Sequence, residues 1–144
     1  MERAASPPED WEAAPPCGVF MDRMVVCKTP LGPKFRVRPS HAFDVGDVLK
    51  HVRRTGLPLR AVIDLTSTTA PRYDDTAWGP GVAVHRVRCS ADDAQDQPPS
   101  SHAATLFLLA MRECDGCAVV HCTHGFNRTG YMASLWAVVR VAMQ

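Results

Sequence analysis

No apolar stretch of this chain approaches the roughly 20 residues that a bilayer-spanning helix requires, so no membrane association is expected. The opening residues lack the apolar core of a secretory leader. They are polar, acidic and proline-rich, with Pro7-Pro8 and Pro15-Pro16, and the expectation is a reducing compartment. No internal repeat is present, which excludes repeat architectures. Net charge is almost absent, 16 Lys and Arg against 15 Asp and Glu leaving +1, so the chain as a whole is neither a polycation nor a polyanion. A second cysteine pair is also missing. A zinc or redox site built on Cys114-Asp115-Gly116-Cys117 would need one, and His121 and Cys122 follow too closely, inside a strand, to close a tetrahedral site. That segment reads as a helix end and turn, no metal is expected, and the six cysteines read as free thiols.

What is present suffices for one domain. A length of 144 residues supports a single core. Residues 1–16 read as a flexible lead-in anchored by Trp11, and residues 17–144 as the domain. Met24-Val25-Val26-Cys27 is a short apolar strand ended at Thr29-Pro30. Asp44 is a good N-cap for a helix whose Val45, Val48, Leu49 and Val52 recur at i, i+3, i+4 and i+7, and Gly56-Leu57-Pro58 stops it. Residues 60–65 read as a buried strand and residues 82–88, alternating apolar and polar, as a half-buried or edge strand. Ser100 or Ser101 caps a helix from Ala103 to Glu113, with Leu106, Phe107, Leu109 and Ala110 as its apolar face and Gly116 closing it. This alternation predicts an α/β fold, a central, mostly parallel sheet flanked by helices, with ligands bound beyond the carboxyl ends of the strands.

The most informative stretch is His121-Cys122-Thr123-His124-Gly125-Phe126-Asn127-Arg128-Thr129-Gly130, which follows the apolar run Cys117-Ala118-Val119-Val120 and leads into residues 131–140 as a helix. A strand, a loop and a helix start in that order can turn several backbone N–H groups toward one anion. Arg128 adds a planar fork for two phosphate oxygens. Cys122 is the candidate nucleophile, its thiolate favoured by those N–H groups and by the guanidinium. Thr123, His124, Gly125, Phe126 and Asn127 form the phosphate-binding loop. Gly125 permits close approach or a positive φ, Asn127 braces the loop, and Thr129 offers its hydroxyl to the sulfur. Gly130 lets the helix start close to the strand, and His121 supports the loop backbone. The same spacing occurs at Cys17-Gly18-Val19-Phe20-Met21-Asp22-Arg23, but with an acid in the loop, no hydroxyl after the arginine and no apolar helix pattern behind it. That copy reads as a decoy.

HCTHGFNRTG resembles the signature loop of the cysteine-phosphatase superfamily, in particular its RNA 5′-triphosphatase branch. Trp11, Cys17-Gly18, residues 28–33 (KTPLGP), residues 63–68 (IDLTST) and Tyr73-Asp74 are similar to that branch's landmarks in the same order. The resemblance implies a dual-specificity-phosphatase-like fold and a metal-independent, cofactor-free hydrolase acting on RNA 5′ ends through a cysteinyl-phosphate. It also implies an intracellular site, nuclear or nucleocytoplasmic. Basic residues from Arg23 to Arg60 suit a polyanion, and Lys34, Arg36 and Arg38 alternate so that they share a face if extended.

The acids leave alternatives open. Asp64, at a strand end, is either an acid/base or supporting group for the site or a cap for backbone N–H groups. Tyr73, Asp74 and Asp75 follow in a loop within reach of the same rim. The resembled triphosphatases lack the usual phosphatase aspartate upstream of the nucleophile, whereas Asp92, Asp93 and Asp96 occupy that loop here. Asp92 or Asp93 as a general acid would favour a dual-specificity or tyrosine protein phosphatase acting on a phosphoprotein; an acidic loop in solvent is the other reading. The chain ends at Gln144 inside the helix that follows the loop, where the resembled proteins continue with further helices. On that footing it reads as truncated, with apolar surface on one sheet face and the last helix for a protein partner to cover. An inactive RNA-binding or interaction remnant is then a third reading.

Overall fold

The computed structural model describes residues 4–20, 23–66, 71–89, 98–125 and 127–143. Among these residues five strands form one sheet, β1 (Cys17–Phe20), β2 (Met24–Lys28), β3 (Leu59–Asp64), β4 (Ala83–Arg86) and β5 (Cys117–Cys122), in the order β1-β2-β5-β3-β4. All neighbours are parallel except β1, which returns antiparallel on β2. Among the described residues three α-helices cover it, α1 (Val45–Arg54), α2 (Ser101–Glu113) and α3 (Asn127–Ala142). This is the α/β architecture that the alternating pattern predicts.

Burial explains the order. Every residue of β5 is buried, as a central parallel strand covered on both faces must be. Its alternate residues feed two cores. Ala118, Val120 and Cys122 face α2 and α3 together with Ala61, Ile63 and Leu65, whereas Cys117 and Val119 face α1 together with Val25, Cys27 and Val62. Period two therefore sends Cys122 to the α3 side and its neighbour His121 to the other. The exposed-to-intermediate β4 lies at the sheet edge, as its alternation predicts. β1 explains the decoy. Cys17 lies on an edge strand paired antiparallel with β2, so among the described residues the segment that follows it is a strand and not a helix start.

Helix α1 forms as expected. Asp44 Oδ1 accepts from Asp47 N at 3.0 Å and Asp47 Oδ2 from Asp44 N at 2.9 Å, a reciprocal capping box. Val45, Val48 and Val52 are buried, Leu49 packs at their margin, and Gly56 ends the helix at φ 73°. Helix α2 is capped by Ser100 through Ala103 N at 3.1 Å, but its inward face differs from the expected one. Ala103, Phe107, Ala110 and Met111 are buried, whereas Leu106 and Leu109 are exposed. The sheet accepts one helical stripe spaced i, i+4, i+7, i+8, and the two leucines lie on its flanks. Its end also differs. Cys114 is the extended C-cap, and the Arg23 guanidinium donates to the carbonyls of Met111 and Cys114, where a cation complements the helix dipole. Gly116 has another task, since a Cβ there would collide with the Pro58 carbonyl.

The sheet face expected to be bare is covered by α2 and α3. Among the described residues the large exposed apolar side chains lie mostly on their outer sides, at Leu106, Leu109, Tyr131, Val138 and Val141, with Met143 just past α3 and Leu57 just past α1. Among the described residues no helix is long and apolar enough to cross a membrane.

The two faces of α2 make opposite predictions. Phe107→Ala should cost about 3–5 kcal/mol through the cavity it leaves, and Leu109→Ala no more than about 0.5 kcal/mol. Urea unfolding of the two variants, followed by circular dichroism, measures the difference.

Candidate active site

Strand β5 delivers Cys122, buried, to the carboxyl edge of the sheet, and α3 begins at Asn127. The turn between them depends on Gly125, whose φ is 82° and whose absent Cβ would stand 2.9 Å from Cys27 C and Lys28 N. Only glycine fits both the left-handed conformation and that contact. The expected close approach is thus to the backbone of β2. Thr29 N donates to the Thr123 carbonyl at 3.2 Å and ties the loop to the same strand end. Gly130 behaves otherwise than expected, because a Cβ there meets nothing within 4 Å and no close approach requires it.

Arg128, in the first turn of α3, is buried, and its Nη1 donates to the Leu65 carbonyl at 3.4 Å, just past the end of β3. The Thr129 hydroxyl is buried with no hydrogen-bond partner among the described residues. A polar atom in that state is available to a ligand or to the sulfur. Cys122, Thr123, His124, Asn127 and Arg128 line one pocket of about 350 Å³. Phe126 and Asp92, Asp93 and Asp96 lie outside the described residues.

A supporting network stands behind the loop. Tyr73 Oη lies 2.7 Å from His121 Nε2. Burial raises the Tyr73 phenol well above its ordinary value, with the Asp64 charge adding to this, so Tyr73 is the donor. Burial pushes the His121 imidazole down; Asp64 opposes this, and Arg72 adds to it. Neutral His121 with Nε2 accepting carries its proton on Nδ1, 4.0 Å from Asp64 Oδ1. Asp64 does not line the pocket. Its Oδ1 accepts from Thr66 N at 2.8 Å and Thr66 Oγ1 at 2.6 Å, the capping arrangement, and Arg86 Nε lies 3.5 Å from Oδ2. Asp74 caps the turn at Thr76 and Asp75 pairs with Arg86 at 2.8 Å.

Three residues escaped the sequence reading. Arg72 Nη1 donates to Thr123 Oγ1 at 3.0 Å and so braces the loop from the side. Lys28 is buried beneath the N-terminal segment. Its Nζ donates to the carbonyls of Trp11 at 2.8 Å and Ala14 at 2.9 Å and lies 3.9 Å from the Trp11 ring centroid, and burial pulls its pKa down. Trp11 itself is fully buried, with Nε1 donating to the Thr29 carbonyl at 2.8 Å. The third is Asp10, which lines the pocket with Ala13 and Ala14. The segment read as a lead-in therefore forms one wall of the site. Arg72 adjoins the Tyr73 landmark and Lys28 opens another, which was the signal available; Asp10 had none. Lys34, Arg36 and Arg38 are exposed while Phe35 and Val37 are part-buried between them, as a shared face requires. Arg38 already pairs with Glu12 at 2.8 Å.

Two substitutions test this framework. Gly125→Ala should destabilise by more than about 1 kcal/mol and abolish binding of vanadate, a phosphate mimic, in a titration. Below pH about 6.5 the unfolded chain protonates His121 while the folded chain does not, so stability falls as pH falls, by up to about 1.4 kcal/mol per unit, until the folded imidazole titrates. Urea unfolding from pH 8 to 5 should show that slope in the parent and lose its His121 part in His121→Gln.

No family model matches the chain. Over 133 residues, 87% of the chain, it is 34% identical to the tyrosine-protein phosphatase of Autographa californica nuclear polyhedrosis virus, 76% of which is covered. It is 32% identical over 133 residues to the RNA/RNP complex-1-interacting phosphatase of Homo sapiens, covering 87% of the chain and 40% of that protein. An alignment of 148 positions with the mRNA-capping enzyme of Danio rerio gives 26% identity over 98% of the chain and 24% of that enzyme. The chain thus spans well under half the length of these last two relatives. With the strand, loop and buried arginine in place, and with more than two thirds of the baculovirus relative covered at this identity, the chain belongs to the cysteine-phosphatase superfamily.

Proposed function

We propose that this chain removes the terminal phosphate from 5′-triphosphate RNA through a cysteinyl-phosphate on Cys122. The observation that carries the reading is the joint presence of Cys122 and buried Arg128 in one pocket closed by the Gly125 turn. The Cys122 thiolate attacks the terminal phosphorus in line. Loop N–H groups and Arg128 take the equatorial oxygens as their charge shifts in the transition state. These groups supply the positive field themselves, so the reaction proceeds without a divalent cation. Water then hydrolyses the cysteinyl-phosphate, and the Thr129 hydroxyl steadies the departing sulfur.

RNA as substrate is supported by the exposed Lys34, Arg36 and Arg38 and by the names of two relatives, an RNA/RNP complex-1-interacting phosphatase and an mRNA-capping enzyme. Such a substrate places the protein in the nucleus or between nucleus and cytoplasm. A second reading, a protein phosphatase, is favoured by the baculovirus relative, named a tyrosine-protein phosphatase.

In excess chelator the protein should release phosphate from triphosphate-ended RNA, and Cys122→Ser should reduce this by at least about 10³-fold. Faster turnover of a phosphotyrosine peptide than of RNA would move the assignment to the second reading. Folded protein with neither activity overturns both.

A further inference from the structure

We propose that Asp10, on the N-terminal segment, is the acid that protonates the leaving group, which extends the substrates of this site to phosphate monoesters of poor leaving groups. The proposal rests on Cys122 as nucleophile. In-line displacement sends the leaving oxygen away from the sulfur, toward the side of the pocket opposite the loop. Asp10, Ala13 and Ala14 are the described lining residues that do not come from β5, the loop or α3, and of these Asp10 alone carries an exchangeable proton. His124, the other titratable lining side chain of suitable type, has its Nε2 against the Glu9 carbonyl.

Two further features single out this carboxyl group. Asp10 has φ 61°, the one positive value at a non-glycine position among the described residues. A residue stays in that region when its surroundings over-determine it, and here both flanks are fastened. Glu9 is held by His124, while Trp11 is buried and tied to Thr29 and Lys28. The backbone inversion is thus built in beside the pocket. In addition, Glu12, Asp64 and Asp75 all have side-chain partners, whereas the Asp10 carboxylate has no hydrogen bond or ion pair among the described residues.

The chemistry balances over two steps. As the S–P bond forms and the ester P–O bond breaks, protonated Asp10 gives its proton to the departing oxygen. In the second step the Asp10 carboxylate takes a proton from water as the new P–O bond forms and the S–P bond breaks, restoring the thiolate and the acid. A diphosphate leaving group has a second pKa of about 6 and needs little of this help, whereas a phenolate, with a conjugate-acid pKa of about 10, needs it.

The test compares phenyl phosphate with 4-nitrophenyl phosphate, whose phenolate leaves readily. Asparagine suits the left-handed region as well as aspartate does, so Asp10→Asn should keep the parent melting temperature. It should lose about 10²-fold in kcat/KM on phenyl phosphate and change little on 4-nitrophenyl phosphate. The alkaline limb of the phenyl phosphate pH profile should vanish with it. Equal losses on both substrates, or no loss on either, overturn the assignment. So does the same leaving-group dependence appearing in Asp92→Asn or Asp93→Asn in place of Asp10→Asn. Failure of the parent to turn over any phosphate ester or triphosphate-ended RNA overturns the phosphatase reading and the Asp10 role together, whereas parent activity with an unaffected Asp10→Asn overturns Asp10 alone.

Discussion

Between Gly125 and the backbone of Cys27 and Lys28 there is no room for a side chain, and the site depends on that contact. It clamps the turn between nucleophile and arginine onto the neighbouring strand. The clamp requires β2 and β5 to run parallel and to end level, which the register provides by pairing Cys27 with His121 and Lys28 with Cys122. Parallel strands in turn require helical crossovers on both faces, and hence two apolar cores. One glycine's missing methyl group thereby links the loop to the whole layered architecture.

Burying polar groups behind such a loop is costly unless each finds a partner. Tyr73 forms one answer at His121 Nε2, the buried imidazole staying neutral with its Nδ1 at 4.0 Å from Asp64 and without a hydrogen bond among the described residues, while that carboxylate is held by Thr66. Lys28 is a different answer. Its ammonium group lies under the Trp11 ring and donates to two carbonyls of the N-terminal segment, so the desolvation that depresses its pKa is offset by contacts that also fasten the pocket wall. Removing the N-terminal segment would expose this cation's pocket and open the site on one side. Fold and site are therefore coupled through a lysine that never faces the ligand pocket.

Legibility in the sequence followed the range of the interactions involved. The β5-loop-α3 unit and the capped α1 were readable because strand burial, the glycine turn and the Asp44 cap are local and leave a periodic or compositional trace. The inward face of α2 was misread at Leu106 and Leu109, since an apolar stripe broader than the contact can be rotated, and only the sheet decides which side packs. Gly116 likewise looked like a helix stop, but it answers to Pro58, far away in the chain. Arg72, Lys28 and Asp10 act across separations from 14 to 51 residues where their contacts are hydrogen bonds, and no local pattern announces such pairs. A polar, proline-rich segment meets every compositional criterion for a solvated tail, yet one buried tryptophan is enough to fold it down.

That folded segment changes the electrostatics of the mouth. The floor of the pocket carries Arg128, with Arg72 at the side of the loop, and favours a phosphate dianion. The wall contributes Asp10, and beyond it Glu12 occupies Arg38 and approaches His41 at 3.4 Å. A long polyanion leaving over this wall would meet the carboxylates of Asp10 and Glu12, with Arg38 already engaged by Glu12. Charge near the mouth is thus divided, with cations at the loop and acids on the N-terminal wall. An acid so placed repels a highly charged leaving group when ionised and assists a neutral alcohol or phenol when protonated. On the proposed role of Asp10, the same carboxyl group therefore bears on both binding and chemistry.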